Sequence, residues 1–279
     1  MLIYPTTKQA PFSGLSGMGG GCTGMSLAGG NPPGFQTHDC MPILQTNPTG
    51  SAATDAANSL CNDDAHASYL KAAIPGVASI GQGNHPEDVH DHVPDASGSP
   101  ITIDSNGNTV GGSTTQSKWY GKSWYFPNVD SGSDWQAWIT NVLKDRAFGD
   151  YTIEVWLYRI EGTLLFDGNQ NANVYIYNYG SEGNIDFYTN NGCQTSGGAV
   201  GTNAWHHMAC VRHGSNKYIY VDGTRVTTCQ ETSFDMTGDT NMAVGSRNNG
   251  SDDWKGYMND IRIYHTAKYT GNSFTIFPN

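Results

Sequence analysis

From about residue 95 onward, short runs rich in aromatic and β-branched residues are separated by Gly, Asn, Asp and Ser. Such runs with punctuated ends predict strands of an antiparallel sheet. They fall at 100–104, 118–126, 151–159, 162–167, 173–179, 184–189, 205–212, 218–223, 242–245 and 254–264. Asp222-Gly223 before Thr224-Arg225-Val226 marks a tight hairpin, because Gly takes φ > 0 without a Cβ clash. Ser105-Asn106-Gly107-Asn108 marks another turn, leading to Thr109-Val110.

Two stretches break the pattern. Trp135, Trp138, Ile139, Val142 and Leu143 are spaced i, i+3, i+4, i+7, i+8, which predicts one apolar stripe on a helix capped by Ser133 or Asp134. The Ala-rich stretch 51–73 also suits helix, ending at Tyr69-Leu70-Lys71-Ala72-Ala73 before Pro75. Residues 1–50 carry Gly17-Met18-Gly19-Gly20-Gly21 and Asn31-Pro32-Pro33-Gly34 and keep neither period. They nevertheless hold Met18, Met25, Leu27, Phe35, Met41, Ile43 and Leu44, more apolar groups than a solvated linker needs. An irregular arm over 1–85 that docks on another subunit accounts for both facts, a disordered tail for the first. The β domain is then expected over 86–279.

Composition narrows the function classes. The chain has 279 residues with 35 glycines, and 25 Asp+Glu stand against 14 Lys+Arg, a net charge of -11. An acidic surface gives phosphate backbones no electrostatic support, which argues against nucleic acid as a partner. No run of about 18 apolar residues predicts a membrane span. The first residues, Met1-Leu2-Ile3-Tyr4-Pro5-Thr6-Thr7-Lys8, lack the charged and apolar regions of a Sec signal. Of the six cysteines, none form a Cys-x-x-Cys pair. Cys210 is expected as a small buried hydrophobe, and Cys193 and Cys229 flank two strands of one sheet and could either pair or stay free.

The strand sequences resemble the laminin-G-like domains of the concanavalin A-like lectin and glucanase superfamily. The resemblance is carried by Trp205-His206-His207-Met208-Ala209-Cys210-Val211-Arg212, by Tyr218-Ile219-Tyr220-Val221-Asp222-Gly223 and by Met242-Ala243-Val244-Gly245. It extends to residues 254–264, to Tyr151-Thr152-Ile153-Glu154-Val155-Trp156-Leu157 and to 118–126, all in the family's order. It implies an all-β fold, an antiparallel jelly-roll β-sandwich preceded by the irregular arm. Glu154 and Arg262 then share one sandwich and are expected as a structural ion pair. Ala267-Lys268-Tyr269-Thr270-Gly271-Asn272 resembles the close of the versions found in phage structural proteins.

The superfamily's glucanases use Glu-x-Asp-x-x-Glu, because retaining hydrolysis needs two carboxylates about 5–5.5 Å apart. The nearest candidates here are Glu182 and Asp186, four apart, and the adjacent Asp252 and Asp253. Neither pattern supplies that pair, so no catalytic residue and no enzyme activity is expected. Binding residues are expected in two polar loops and beside them: Asp167, Asn169 and Tyr179, and Asn248, Asp252 and Trp254. Aromatic rings would stack on sugar faces while Asp and Asn bond hydroxyls. The hard oxygens of these loops also suit Ca²⁺, although Asn, Asp and Gly are equally ordinary turn residues. Tyr175, Tyr177 and Tyr179 either face outward as a platform or pack between the sheets. His90 and His92 would share one face of a strand as a metal pair, or belong to a solvated linker. The expected function is a non-enzymatic virion structural protein: a capsid decoration, head-fibre or tail-fibre component. It would be made in the host cytoplasm, join other virion subunits through its arm as a homo-oligomer, and present its lectin-like domain to host glycans. The alternative is a cellular carbohydrate-binding or adhesion protein acting outside the cell.

Overall fold

The structure is a computed structural model that describes residues 66, 69–77, 79, 103–105, 110–119, 121–127, 137–139, 142, 149–162, 164–168, 175–179, 183–188, 192–195, 199–230, 241–247 and 253–276. Two antiparallel sheets face each other across one apolar core. The larger contains β1 (Leu70–Ile74), β3 (Gly111–Ser113), β4 (Ser123–Pro127), β6 (Tyr151–Gly162), β10 (Trp205–His213), β11 (Asn216–Val221), β12 (Thr224–Gln230) and β14 (Trp254–Tyr264). Its order is β12-β11-β10-β6-β14-β4-β3, with β1 also paired to β14. The smaller contains β2 (Ile103–Ser105), β5 (Ala137–Ile139), β7 (Leu164–Asp167), β8 (Tyr175–Tyr179), β9 (Asn184–Tyr188) and β13 (Met242–Val244). Its order is β2-β5-β13-β7-β8-β9. Every pairing between these strands is antiparallel, as the sequence pattern predicts for a concanavalin A-like sandwich.

Alternation decides which side chains meet between the sheets. Ile153, Val155 and Leu157 of β6, Met208 and Cys210 of β10, and Met258 of β14 face Phe166, Ile176, Ile185, Phe187 and Val244 from the smaller sheet. Cys210 is a buried free thiol, as expected, and burial pushes its pKa up. The β11–β12 turn forms at the expected place, with Asp222 at φ 48° and Gly223 at φ 77°. Gly245, at φ 89°, follows β13 against the other sheet: a Cβ there would lie 2.3 Å from the Phe126 ring.

The helix expectation over 135–143 is overturned at its described residues, and that over 51–73 at its end, residues 51–65 lying outside the described residues. Ala137–Ile139 is β5, whose Trp138 pairs with Ala243 of β13 and with Asp104 of β2. Ladder hydrogen bonds on both edges, with Ala137 and Ile139 buried between the sheets, outweigh a helical stripe that a period of 3.6 made legible. Likewise Leu70–Ile74 is β1, in register with β14 from Leu70↔Tyr264 to Ile74↔Ile261. The larger sheet therefore takes in residues N-terminal to the expected boundary at 85/86.

Cys193 and Cys229 form a disulfide with Cα atoms 5.6 Å apart. Cys193 follows β9, the edge of the smaller sheet, and Cys229 lies in β12, the edge of the larger, so the bond joins the two sheets along one open side. Around it, Cys193 and Phe187 exchange two backbone hydrogen bonds, the Asp186 carboxylate accepts from Cys193 N and Gln194 Nε2, and Lys217 Nζ donates to the Phe187 carbonyl.

Candidate functional site

The outer face of the smaller sheet is assembled by register alone. With Ile103, Ala137, Ile139, Met242, Val244, Phe166, Ile176, Ile185 and Phe187 turned to the core, the intervening residues lie outside. A continuous transverse line results: Asp104↔Trp138↔Ala243↔Asp167↔Tyr175↔Tyr188. Asp104, Trp138 and Tyr188 are half-buried, whereas Ala243 and Asp167 at its centre are buried. Beside this line Tyr177 pairs with Asp186, and Arg247 Nη2 donates to the Tyr177 hydroxyl at 3.1 Å. The core position of Ile176 puts Tyr177 on the outward side, which decides for that residue the question the sequence leaves open.

Of the residues expected to bind, Asp167 joins this face, but at 0 % exposure it lies beneath the surface a ligand would touch. Tyr179 lies in β8 opposite Asn184. Trp254 is a core residue at 1 % exposure: alternation along β14 turns its ring inward, beside Gly256, so it offers no open face for stacking. Asn169, Asn248, Asp252, His90 and His92 lie outside the described residues. Among the described residues, no group of three or more His, Cys, Asp and Glu side chains could hold a metal ion. Trp138 was missed because the helix expectation hid β5, and Asp104, in the expected strand at 100–104, because its partner strand was hidden with it. The signal was the local alternation of Ala137-Trp138-Ile139.

The outer face of the larger sheet is different chemistry. At one end of the strands lies a line of directly paired aromatics, Tyr125↔Tyr257↔Tyr158↔Trp205, from β4, β14, β6 and β10. Their ring centroids are 4.8, 5.8 and 5.7 Å apart in that order. Further along, residues 265–274 close over the face. There Glu154 is held by Lys268 Nζ at 3.0 Å, the Tyr269 hydroxyl at 2.6 Å and His207 Nε2 at 3.6 Å. The expected Glu154–Arg262 pair is present at 4.0 Å, but Lys268 is the nearer cation. Burial alone would raise the Glu154 pKa; Lys268, His207, Arg262 and the Tyr269 hydroxyl together hold it below the usual value. His207 is driven the other way, lowered to about 4, chiefly by burial against the pull of Glu154. Every carboxylate oxygen of Glu154 is engaged inside the protein, so this cluster is a clasp for the C-terminal segment rather than a reaction centre.

A family model described as the concanavalin A-like lectin/glucanases superfamily matches residues 130–269, half of the chain. No curated protein matches the sequence. Among solved structures, the protein crystallised as HCR/D-Sa-GBL1/C aligns with TM-score 0.50 at 14 % identity, covering 73 % of this chain and 50 % of that one. The binding domain of botulinum neurotoxin serotype D/C VPI 5993 aligns with TM-score 0.49 at 14 % identity over the same shares, 73 % and 50 %. Domain 4 of AbnA, a GH43 extracellular arabinanase from Geobacillus stearothermophilus, in complex with arabinotriose, aligns with TM-score 0.46 at 18 % identity, over 71 % and 94 %. The chain thus spans about half the length of the first two. At these identities the likeness is one of fold.

Proposed function

The chain belongs to the concanavalin A-like lectin/glucanases superfamily, and from that premise we propose that it is a non-enzymatic glycan-binding protein whose smaller sheet presents the site. The observation that carries this reading is the transverse line on that sheet, where half-buried Trp138 stands beside half-buried Asp104, Tyr188 ends the line, and Tyr177 is fixed by Arg247. Aromatic rings stack on the apolar faces of sugars, and Asp104, with the Arg247–Tyr177 pair, supplies acceptors and donors for hydroxyls. Asp186, one of the four acids considered for catalysis, already accepts two hydrogen bonds from Cys193 and Gln194, which favours a structural task.

The finer reading is a virion component, with the arm N-terminal to β1 joining other subunits and the sandwich turned outward. It is supported by the irregular, apolar-studded arm and by the resemblance of residues 267–272 to the close of phage structural proteins. The cellular adhesion alternative has the same site and a different anchor. Co-sedimentation of the full chain with particles and a symmetric oligomer separate the first from the second.

The test of glycan binding is titration of the full-length protein with a polysaccharide panel, with and without EDTA, alongside Trp138→Ala. We expect saturable binding that weakens at least about tenfold in the variant, a loss of about 1.4 kcal/mol. EDTA sensitivity would place Ca²⁺ in the 167–171 or 247–253 loops. Binding by no polysaccharide, or an unchanged affinity in Trp138→Ala, refutes the site.

A further inference from the structure

The larger sheet carries a second aromatic line on the opposite side of the sandwich from the one just assigned. Tyr125, Tyr158 and Trp205 are half-buried, and Tyr257, at 7 % exposure, fills the space between the first two. The four come from adjacent strands at directly opposed positions, so the line crosses the sheet with steps close to the strand spacing. T-shaped contacts of Tyr158 with both Tyr257 and Trp205 hold the rings fixed. Rigid Tyr and Trp side chains offer large contact area with little ordering entropy left to lose.

The borders of this strip restrict its occupant. On one side Lys118 and Trp119 pack on Trp156, closing the sheet there. On the other, Lys255 and Glu161 form an ion pair that neutralises itself at the strip's edge. No large aliphatic side chain joins the strip; the exposed large hydrophobics among the described residues are Tyr69 and Val226, both elsewhere. A protein interface would centre on a broader, desolvated patch. A single file of phenol and indole rings between polar borders suits a narrow ribbon with apolar faces and hydroxyl edges. With Lys255 paired to Glu161, Lys118 laid on the Trp156 ring and a chain net charge of -11, an anionic ribbon is disfavoured.

We infer that this strip is a second glycan site, for the interior of an extended, uncharged polysaccharide, so that one chain bridges two polysaccharide strands. The inference rests on the glycan-binding reading above and adds a distinct site to it. Because the two lines sit on outward faces of opposed sheets, one strand of glycan cannot occupy both at once without wrapping the domain. Bridging therefore follows from the architecture, and on a branched or clustered surface it converts two weak contacts into avidity.

Full-length protein titrated calorimetrically with uncharged hexasaccharides (cello-, laminari-, xylo- and chito-hexaose) should give two sites per chain for at least one of them. Trp205→Ala should leave one site, held by the Trp138 face, and Trp138→Ala should leave the other. Hyaluronan hexasaccharide and sialyllactose should bind neither or far more weakly. Footprinting of the unmodified protein gives a reading independent of how the variants fold: a bound hexasaccharide should protect Trp205 from oxidation several-fold. One site per chain, lost in Trp138→Ala and unchanged in Trp205→Ala, overturns the second site and leaves the first reading standing. Binding only at Trp205 overturns bridging and moves the primary site. Protection of Trp205 by protein concentration alone assigns the strip to a second copy of the chain and also overturns it. No binding by any probe removes both readings.

Discussion

Glu154 shows how much of the sandwich depends on single polar contacts. It lies at 1 % exposure on the outer side of β6, where an uncompensated carboxylate would be untenable. Lys268, itself 6 % exposed, bonds both Glu154 and the Tyr264 hydroxyl and so fastens the segment after β14 to the sheet. Lys268→Met keeps most of the stem and removes the charge. It should cost about 3–5 kcal/mol, because Glu154 stays buried with its nearest cation gone, and urea unfolding would read this as a shifted midpoint. A midpoint within experimental scatter of the parent would show that Arg262 suffices. The same cluster sets an acid limit. His207 binds its proton less readily in the folded state than in the unfolded chain, so acidification favours unfolding from about pH 6.5 down to about pH 4. The loss amounts to about 3 kcal/mol. Glu154, with a lowered folded pKa, acts in the same direction: its stabilisation is present above its unfolded value and disappears as pH falls through the folded one. Unfolding midpoints taken from pH 7 to pH 4.5 should therefore fall, and His207→Gln should flatten the upper part of that curve. A flat profile in the parent protein would contradict the cluster's role.

At the scale of elements, the disulfide and the strands of uncertain period are informative. Reduction, or Cys229→Ser, frees a loop of sequence separation 36 that joins the two sheet edges, and should cost about 3–4 kcal/mol. Thermal melts with and without reductant measure this, and equal melts would mean the hydrogen bonds around Phe187 hold the edge by themselves. The elements legible in the sequence were those with a period-2 pattern long enough to be unambiguous, such as β6, β10 and β14. Cys193 and Cys229 were legible only as a candidate pair, because which sheet edges meet is not written locally in the chain. β5 and β1 were not legible. A strand of 3 residues carries too little alternation to compete with a helical stripe, and what makes Ala137–Ile139 extended is the pair of strands on either side. The site suffered from the same cause. Trp138 belongs to the binding line only through its register with Ala243 and Asp104, and register between distant strands is not written locally in the chain. Trp254 failed for a local reason: it follows a polar loop in the sequence, but one step of alternation turned the ring into the core.

At the scale of the whole molecule, the sandwich has two outward faces of unlike character, one mixing carboxylates with aromatics across its strands and one keeping its aromatics in a single line apart from a buried charge cluster. The C-terminal segment covers part of the second and leaves the Tyr125–Trp205 line beyond it. β1 adds a mechanical consequence. It runs antiparallel to β14 and meets it at Tyr264, the far end from Tyr257 and its aromatic line. A pull on the chain N-terminal to Leu70, resisted at that line, would run lengthwise along β14. The backbone hydrogen bonds between the two strands would then be loaded together in shear instead of being peeled one after another. A tether attached through β1 is thus built to hold under tension, because β1 would have to slide as a whole along β14, the central strand it pairs with, rather than unzip from one end.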